Sequence, residues 1–365
     1  MYLVVFAIQQ AKANEFGSGA QGISKVSWEG YPMEKKKIRV IHYGLGPIGL
    51  ATAKLVLTKP DMEIVGALDI AKEMVGKDLG EVLGVQPLGV HVTDNAERLF
   101  AKVQADVVIH TAGSRLKKIF GQIEEILRGG KNIVSSAEEL LFPVPENAEL
   151  ARKIDQLARE KGVTVLGTGV NPGFVMDALP LALTGVCEEV REVHVERVVN
   201  AGTRRYPLQR KIGAGMTPGL FREKVAEKAM GHVGLRESLY LIADRLRFTL
   251  DEVRETVEPV IAEKPLKTDY FELKPGDVAG IRNIGEGFRE GKKIVTLDLR
   301  MYIGAEDPHD SIRIVGTPDL TLRIEGGVAG DQATAAILVN SIPAVIAAAP
   351  GLVTVKDLPA PYCHQ

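Results

Sequence analysis

A glycine-rich turn between an apolar run and a helix-forming stretch constrains the fold of this chain most strongly. Residues 38–43 (IRVIHY) are mostly β-branched and apolar, as in a strand that is buried on both faces of a parallel sheet. The sequence GLGPIG follows at 44–49, and residues 50–58 have the composition of a helix. The pattern therefore predicts a strand, a tight turn and a helix that packs on the sheet.

The turn has the glycine spacing of a dinucleotide-binding loop. Gly44 suits the tight turn, Gly46 lets the backbone approach a pyrophosphate, and Gly49 lets the helix pack closely on the strand. The helix begins with Pro47 and Ile48, and its N-terminus offers free N–H groups and a positive dipole end to phosphates. We therefore expect these five residues to bind NAD or NADP.

Three further positions at predicted strand ends are expected to contact this cofactor. Asp69 ends the second strand, where its carboxylate can accept hydrogen bonds from ribose hydroxyls and would repel a 2'-phosphate. Lys72 can offset that charge, so that use of both NAD and NADP remains open. Thr111 and Ala112 follow the next strand, at the edge of the sheet where ligands bind in doubly wound folds.

Strands and helices alternate up to residue 167, which is typical of a parallel sheet with crossover helices. Beyond the first strand and its helix, the elements expected in this half are strands at 63–68, 105–110, 132–135 and 163–166 and helices at 115–128 and 147–161. Ser114 is expected to cap the helix at 115–128.

The crossover helices disappear after residue 167. Helices are expected near 174–186, 220–230 and 236–247, strands at 192–199, 278–284, 293–302, 311–315 and 320–324, and an apolar helix at 331–348. Long strands without crossovers are typical of an antiparallel sheet.

We therefore expect an α/β fold with two domains. An N-terminal Rossmann dinucleotide-binding domain spans 33–167, and a second α+β domain with a mostly antiparallel sheet spans 168–330. The second domain is expected to bind substrate and, through an exposed sheet face, to pair two subunits into a homodimer. A C-terminal helix within 331–365 is expected to return to the first domain.

Composition excludes several other classes of protein. The 365 residues are 45% hydrophobic with a net charge of −2, so no charge excess indicates nucleic acid or a membrane surface as a partner. No apolar run approaches the roughly 20 residues of a membrane span. The distant Cys187 and Cys363 form no disulfide framework, which favours the cytoplasm. Residues 1–32 have the character of an N-terminal extension or tag, with Met33 as the natural start.

Polar residues at the junction of the two predicted domains are candidates for chemistry. Glu138 and Glu139 follow a strand of the parallel sheet, and adjacent side chains cannot both point into one crevice. One of them is expected to be an acid and base, and the other to face solvent or cap a helix; both could instead be helix N-terminal acids. Asn171 lies in a glycine-rich segment that suits a close ligand or a hinge.

The end of the strand predicted at 192–199 holds two more candidates for substrate binding, Arg197 and Asn200. An arginine can bind a carboxylate through two parallel hydrogen bonds, although a surface ion pair with Glu196 is the alternative. His110, His194 and His232 are expected to be structural, because none has a partner at the spacing of a triad or a metal site. The sequence accordingly predicts no metal site.

Several stretches occur together in a combination that resembles a known family. They are YGLGPIG at 43–49, SSAEELLFP at 135–143, GTGVNPGFVMD at 167–177, RVVNAG at 197–202 and GGVAGDQATAAILVNSIPAV at 326–345. The chain resembles the 2,4-diaminopentanoate dehydrogenases and the related native amine dehydrogenases from Met33 to about Pro359.

This resemblance implies NAD(P)-dependent interconversion of an amine with a ketone and ammonia. It also implies that Glu138 is the catalytic carboxylate and that Asn171 and Arg197 occupy active-site positions. The alternative is a reductase of a cyclic imine similar to dihydrodipicolinate reductase, although the His-His-x-x-Lys segment of those enzymes is absent. A non-catalytic dinucleotide sensor is a third interpretation, and the lack of a basic patch or a helix-turn-helix pattern disfavours it.

Overall fold

A seven-stranded parallel sheet forms from the apolar runs of the first half of the chain. The computed structural model describes residues 36–363, and the extension expected over residues 1–32 lies outside them. The strands are β1 (Ile38–Tyr43), β2 (Met62–Leu68), β3 (Val92–Thr93), β4 (Val107–His110), β5 (Asn132–Ser135), β6 (Thr164–Gly167) and, from the far end of the chain, β15 (Gly351–Val353). Their spatial order is β15-β6-β5-β4-β1-β2-β3.

Helices cover both faces of this sheet, so its strands are buried on both sides. The helices of the first half are α1 (Pro47–Val56), α2 (Leu79–Leu83), α3 (Ala96–Lys102), α4 (Leu116–Arg128) and α5 (Ala148–Lys161). In β1, Ile41 packs into the core under α4, whereas its neighbour Val40 packs into the core on the opposite face. Successive residues of a strand point to opposite faces, which explains the continuous apolar run.

The second half of the chain forms a six-stranded sheet of order β14-β13-β7-β12-β11-β8. Its strands are β7 (Glu189–Asn200), β8 (Glu252–Ile261), β11 (Val278–Arg289), β12 (Lys292–Tyr302), β13 (His309–Thr317) and β14 (Leu320–Glu325), and β9 (Leu266–Lys267) pairs with β10 (Glu272–Leu273) in a separate ribbon. Only the β7–β12 pair of the six-stranded sheet is parallel. The predicted fold class is confirmed.

One face of the six-stranded sheet is covered by helix α9. The helices of this half are α6 (Ala178–Leu183), α7 (Tyr206–Lys211), α8 (Pro218–Ala226) and α9 (Leu235–Leu246). Single 3₁₀ turns lie at Glu138–Leu140 and Pro145–Asn147 in the first half of the chain and at Thr184–Val186 and Ala201–Thr203 in the second. Leu239 and Ile242 of α9 pack on Val193 and Leu297 of the sheet. This core fixes the strand ends that face the first domain.

The end of the chain packs on the parallel sheet. The single helix predicted at 331–348 is wrong, because the structure has α10 (Gly330–Asn340) and α11 (Ile342–Ala347) instead. Pro343 lacks an N–H and its ring clashes with the carbonyl four residues before it, so a continuous helix is interrupted here. Leu338 and Ile342 pack on Val40 and Ile109 of the parallel sheet, and β15 then pairs with β6.

Candidate active site

The glycine loop after β1 has room for a ligand that approaches its backbone closely. Gly44 has φ +95°, a conformation that glycine adopts without strain. A Cβ atom at Gly49 would lie 1.9 Å from the Gly44 carbonyl oxygen, so that helix and strand could not pack as they do. A Cβ at Gly46 would meet no atom within 4 Å, because this residue faces open space. The loop therefore fits the phosphates of a dinucleotide at the N-terminus of α1.

Two neighbouring side chains hold this loop in place. Asp69 accepts hydrogen bonds from the backbone N–H of Leu45 at 2.6 Å and from that of Ala71 at 2.8 Å. The Thr111 hydroxyl donates to the Gly44 carbonyl oxygen at 2.7 Å. Asp69 and Thr111 thus join the loop to the ends of β2 and β4, where the sequence predicts cofactor contacts.

The two adjacent glutamates after β5 have different surroundings. Glu139 accepts hydrogen bonds from the Leu116 N–H at 2.8 Å and from Arg115 Nη1 at 3.0 Å, so this carboxylate caps the N-terminus of α4. The prediction that Ser114 caps this helix is wrong: Arg115 occupies the cap position without a side-chain cap, and the Ser114 side chain hydrogen-bonds to Glu138 instead. Glu138 does not cap the helix, and it lines the crevice between the domains.

Burial raises the pKa of Glu138 above its ordinary value. The hydrogen bond with Ser114 and the positive charge of Lys211 act in the opposite direction without cancelling the effect of burial. A carboxylate loses more favourable hydration than its protonated form does when water is excluded. Glu138 is therefore easier to protonate than a solvated glutamate, as an acid and base near neutral pH must be.

A cavity of about 310 Å³ lies where the two domains meet. Seven of the residues predicted as site residues line it: Gly46, Pro47, Ile48, Thr111, Glu138, Asn171 and Arg197. Gly44, Gly49 and Asp69 shape the loop behind its wall, and Ala112 is exposed next to it. The predicted cofactor loop and the predicted acid thus face the same space.

Arg197 lines the cavity while it makes a buried ion pair. Its Nη1 lies 2.9 Å from both carboxylate oxygens of Asp310, and its Nη2 donates to the Val328 carbonyl oxygen at 2.6 Å. The partner is thus a buried aspartate rather than Glu196 at the surface. Part of the guanidinium already binds a carboxylate of the protein itself.

The predicted role of Asn200 in substrate binding finds no support in the structure. Asn200 does not line the cavity, and its Oδ1 accepts from the Gly202 N–H at 2.8 Å. Its Nδ2 donates to the Ala305 carbonyl oxygen at 3.3 Å. An asparagine at a strand end is well suited to this local capping, because its short side chain reaches the backbone two residues further on.

Four residues that line the cavity have a buried side-chain atom without a hydrogen-bond partner in the part of the chain that the structure describes. The atoms are Thr168 Oγ1, Asn171 Oδ1, His232 Nε2 and Arg205 Nε, of which the last lies 3.5 Å from the Asp331 carboxylate. Buried polar groups in proteins are nearly always hydrogen-bonded, and an exception needs an explanation. A polar ligand in the cavity would supply the missing partners.

Five residues that line the cavity are not among the predicted site residues. His232 is predicted to be structural, and the sequence has no pattern that indicates Arg204, Arg205, Lys211 or Asp331. By contrast, His110 has a structural environment, since Ser135 and Gln122 each lie 2.9 Å from a nitrogen of its ring. Single charged or histidine side chains have no characteristic spacing in a sequence that indicates a site. These cavity residues could therefore be found only from the folded chain.

Comparison with known proteins identifies the family. The model of the 2,4-diaminopentanoate dehydrogenase C-terminal domain matches residues 174–365, more than half of the chain. The 2,4-diaminopentanoate dehydrogenase of Acetoanaerobium sticklandii is 35% identical over 335 residues, which cover 89% of this chain and 94% of that protein. The chain belongs to the 2,4-diaminopentanoate dehydrogenase family.

Other comparisons agree with this family. The amine dehydrogenase of Streptomyces virginiae is 25% identical over 350 residues, covering 88% of this chain and 96% of that protein. The structure of amine dehydrogenase from Mycobacterium smegmatis superimposes with a TM-score of 0.80 at 28% identity, covering 90% of this chain and 97% of that one. Membership in the 2,4-diaminopentanoate dehydrogenase family makes the chain an NAD(P)-dependent oxidoreductase, as the sequence predicts.

The model of the dihydrodipicolinate reductase N-terminus matches residues 38–136 alone. That match covers the dinucleotide-binding part of this diaminopentanoate dehydrogenase family member and stops before Glu138. Within residues 36–363, no group of three or more His, Cys, Asp or Glu side chains is arranged to hold a metal ion. None of the helices in the same range is both long and apolar enough to cross a membrane.

Proposed function

We propose that this chain interconverts an amine with a ketone and ammonia, with Glu138 as the acid and base. The observation that carries this proposal is the Glu138 carboxylate, whose pKa burial raises, in the same cavity as the glycine loop. A bound nicotinamide cofactor would supply the hydride acceptor for the carbon that carries the amine. The protein supplies the geometry and the proton transfers around that carbon.

The protonation state of the substrate determines what Glu138 must do first. An ammonium nitrogen has no lone pair to assist loss of hydride from its carbon, so the substrate must be a neutral amine. Ionised Glu138 takes the proton from the bound ammonium group and releases it to solvent. Loss of hydride from the neutral amine leaves an iminium group, and the carboxylate, ionised again, activates the water that hydrolyses it. In the reverse direction the same group positions ammonia against the ketone. General acid–base catalysis of this kind typically contributes about 10²–10⁴-fold.

On this proposal the two halves of the chain divide the work. Residues 33–167 bind the dinucleotide through Gly44, Gly46, Pro47, Ile48, Gly49, Asp69, Thr111 and Ala112. Residues 168–330 supply the substrate wall with Asn171 and Arg197, and the C-terminal helices in 331–365 pack against the first half. The unpartnered Oδ1 of Asn171 is available to accept a hydrogen bond from the amine.

The carboxylate at the end of β2 supports a preference for NAD over NADP. Asp69 is fixed by two backbone N–H groups and would repel a 2'-phosphate, while the neighbouring Lys72 is exposed. We expect a higher kcat/KM with NAD than with NADP. Asp69→Ser should narrow this ratio by improving use of NADP, and a wild-type preference for NADP would contradict the assignment.

A direct assay tests the proposed reaction. Purified protein is mixed with NAD⁺ or NADP⁺ and a panel that contains 2,4-diaminopentanoate and simple chiral amines, and formation of the reduced cofactor is followed by absorbance. The reverse assay combines the corresponding ketones with ammonia. We expect oxidation of at least one amine and a reductive rate that depends on ammonia. Consumption of reduced cofactor without ammonia on a cyclic imine would support the reductase alternative, and tight cofactor binding without any turnover would support a sensor.

The assembly and the location in the cell are separate parts of the proposal. We propose a homodimer in the cytoplasm, formed through the face of the six-stranded sheet that α9 leaves uncovered. A broad depression on the sheet, lined by Glu196, Arg300 and Tyr302, is consistent with a paired surface. Light scattering of the purified protein should give twice the chain mass, and a monomer at micromolar concentration would refute the dimer.

A further inference from the structure

An aspartate behind the wall of the cavity joins the segment that follows β6 to helix α9. Asp177 is fully buried, and its Oδ2 accepts hydrogen bonds from the Gly173 N–H at 2.8 Å and from the Ser238 hydroxyl at 2.6 Å. Its Oδ1 accepts from the Ala178 N–H at 2.6 Å. Neither Asp177 nor Ser238 lines the cavity. Any effect of these two side chains on the reaction must therefore act through the residues that they hold.

The first turn of α9 lies directly against the proposed acid. Ser238 donates its backbone N–H to the Gly234 carbonyl oxygen at 3.0 Å, so the position of one residue fixes that of the other. A Cβ atom at Gly234 would lie 2.5 Å from both Cγ and Cδ of Pro172 and 3.2 Å from Cβ of Glu138. Gly234 is thus in close contact with the Pro172 ring, and it covers one side of the Glu138 side chain.

We propose that Asp177 and Ser238 are positioning residues for Glu138. Their hydrogen bond holds the first turn of α9 against the neighbouring loop, and this contact limits the access of water to the acid. Hydrogen bonds to an ionised carboxylate are among the stronger ones in proteins, so this bond is well suited to keep the helix in place. The inference rests on the proposed function of Glu138 and adds the contact that sets the surroundings of this carboxylate.

The charged groups that act on Glu138 do not depend on this hydrogen bond. Burial is the largest cause of the shifted pKa of Glu138, while Lys211 on α7 lowers that pKa and the adjacent Glu139 raises it. The imidazole of His232 is neutral near pH 7, because burial lowers its pKa to about 3. The other charged side chains that line the cavity are Arg197, Arg204, Arg205 and Asp331. Removal of the Ser238 hydroxyl keeps all of these groups, so a change in the pKa of Glu138 would report the access of water.

Ser238→Ala is the informative variant, and its effect is measured as the pH dependence of single-turnover amine oxidation. Water that reaches Glu138 stabilises the ionised carboxylate, so the pH midpoint should fall by about 0.5–1 unit. Asp177→Asn should shift the midpoint in the same direction, because an amide cannot accept all three hydrogen bonds. Ser238→Thr should keep the wild-type midpoint, because it retains the hydroxyl. The matched control is Ser341→Ala, which removes a buried hydroxyl that donates to the Ile337 carbonyl oxygen at 2.7 Å and does not line the cavity.

Infrared spectroscopy measures the same pKa without turnover. Difference spectra of the protein are recorded between low and high pH, and the band of the protonated carboxyl group that Glu138→Gln lacks is assigned to Glu138. Its titration midpoint should be lower in Ser238→Ala than in wild type and unchanged in Ser341→Ala. A lower melting temperature of Ser238→Ala with an unchanged midpoint would show that the hydrogen bond is purely structural and would overturn the proposal. A shifted infrared midpoint without oxidation of any amine would refute the proposed function alone.

Discussion

The buried ion pair that fixes Arg197 in the cavity wall makes a quantitative prediction. The Arg197 and Asp310 side chains retain only 4% and 1% of their exposure, and the Asp310 carboxylate also accepts from the Val328 N–H at 2.7 Å. Asp310→Asn keeps the shape of the side chain and removes its charge. The variant leaves a guanidinium buried without its counter-ion, which costs about 3–5 kcal/mol of the free energy of unfolding.

A second ion pair of the same kind in the same sheet serves as the control. Arg323 Nη2 lies 2.7 and 2.8 Å from the two carboxylate oxygens of Asp307, so its contacts resemble those of Arg197. These side chains are 37% and 70% exposed, however. Solvation of the separated charges reduces the contribution of such a pair to about 0–1 kcal/mol. Asp307→Asn should therefore be nearly neutral.

Urea denaturation followed by circular dichroism measures both variants. We expect a midpoint much lower than wild type for Asp310→Asn and close to wild type for Asp307→Asn. The two pairs have similar distances, so burial is the main cause of the expected difference in stability. The Val328 N–H bond to Asp310 and the second carboxylate partner of Arg323, Glu325 at 2.8 Å, act in the same direction. Equal losses of stability in the two variants would refute the reasoning, as would an Asp310→Asn protein as stable as wild type.

Four further predictions concern the glutamate pair and two glycines. Glu139→Ala removes the carboxylate that caps α4, and it should lower the free energy of unfolding by about 1 kcal/mol in urea denaturation while turnover persists. Gly49→Ala should weaken cofactor binding in a fluorescence titration, since its Cβ would lie 1.9 Å from the Gly44 carbonyl oxygen. Gly121→Ala should raise the melting temperature, because its Cβ would meet no atom within 4 Å and alanine favours the helix more than glycine does. Burial raises the pKa of Glu138, and amine oxidation needs the ionised form of this carboxylate. The rate of amine oxidation should therefore fall with decreasing pH at a midpoint above 4.5, the ordinary pKa of a glutamate. A midpoint at or below 4.5 would contradict the burial of Glu138.

Local sequence patterns predicted the strands, turns and helices that depend on only a few neighbouring residues. The strand β1 and the turn after it were predictable because a strand buried on both faces needs a continuous apolar run, and the turn needs glycine at fixed positions. Glu252–Ile261, by contrast, carries charged residues along an edge strand and includes Pro259, so its sequence has no clear strand pattern. An edge strand tolerates proline because one of its sides has no hydrogen-bonding neighbour.

Contacts between distant segments could not be predicted from the sequence. Glu139 rather than Ser114 caps α4, since β5 ends beside the start of that helix in the folded sheet. Lys211 and His232 lie on segments without periodicity, and only the packing of the second domain brings them to the cavity of Glu138. Sequence patterns thus predicted the glycine loop and the proposed acid, whereas the cavity wall of the second domain depends on tertiary structure.

The role of Glu138 is tested most directly by a single-turnover measurement with saturating oxidised cofactor and an amine that the wild-type protein oxidises. Glu138→Gln keeps the size of the side chain and removes the base. Reduced cofactor should form about 10²–10⁴-fold more slowly than in wild type, while the affinity for the cofactor stays the same. A Glu138→Gln protein that forms reduced cofactor at the wild-type rate would contradict the assignment of this carboxylate as the acid and base.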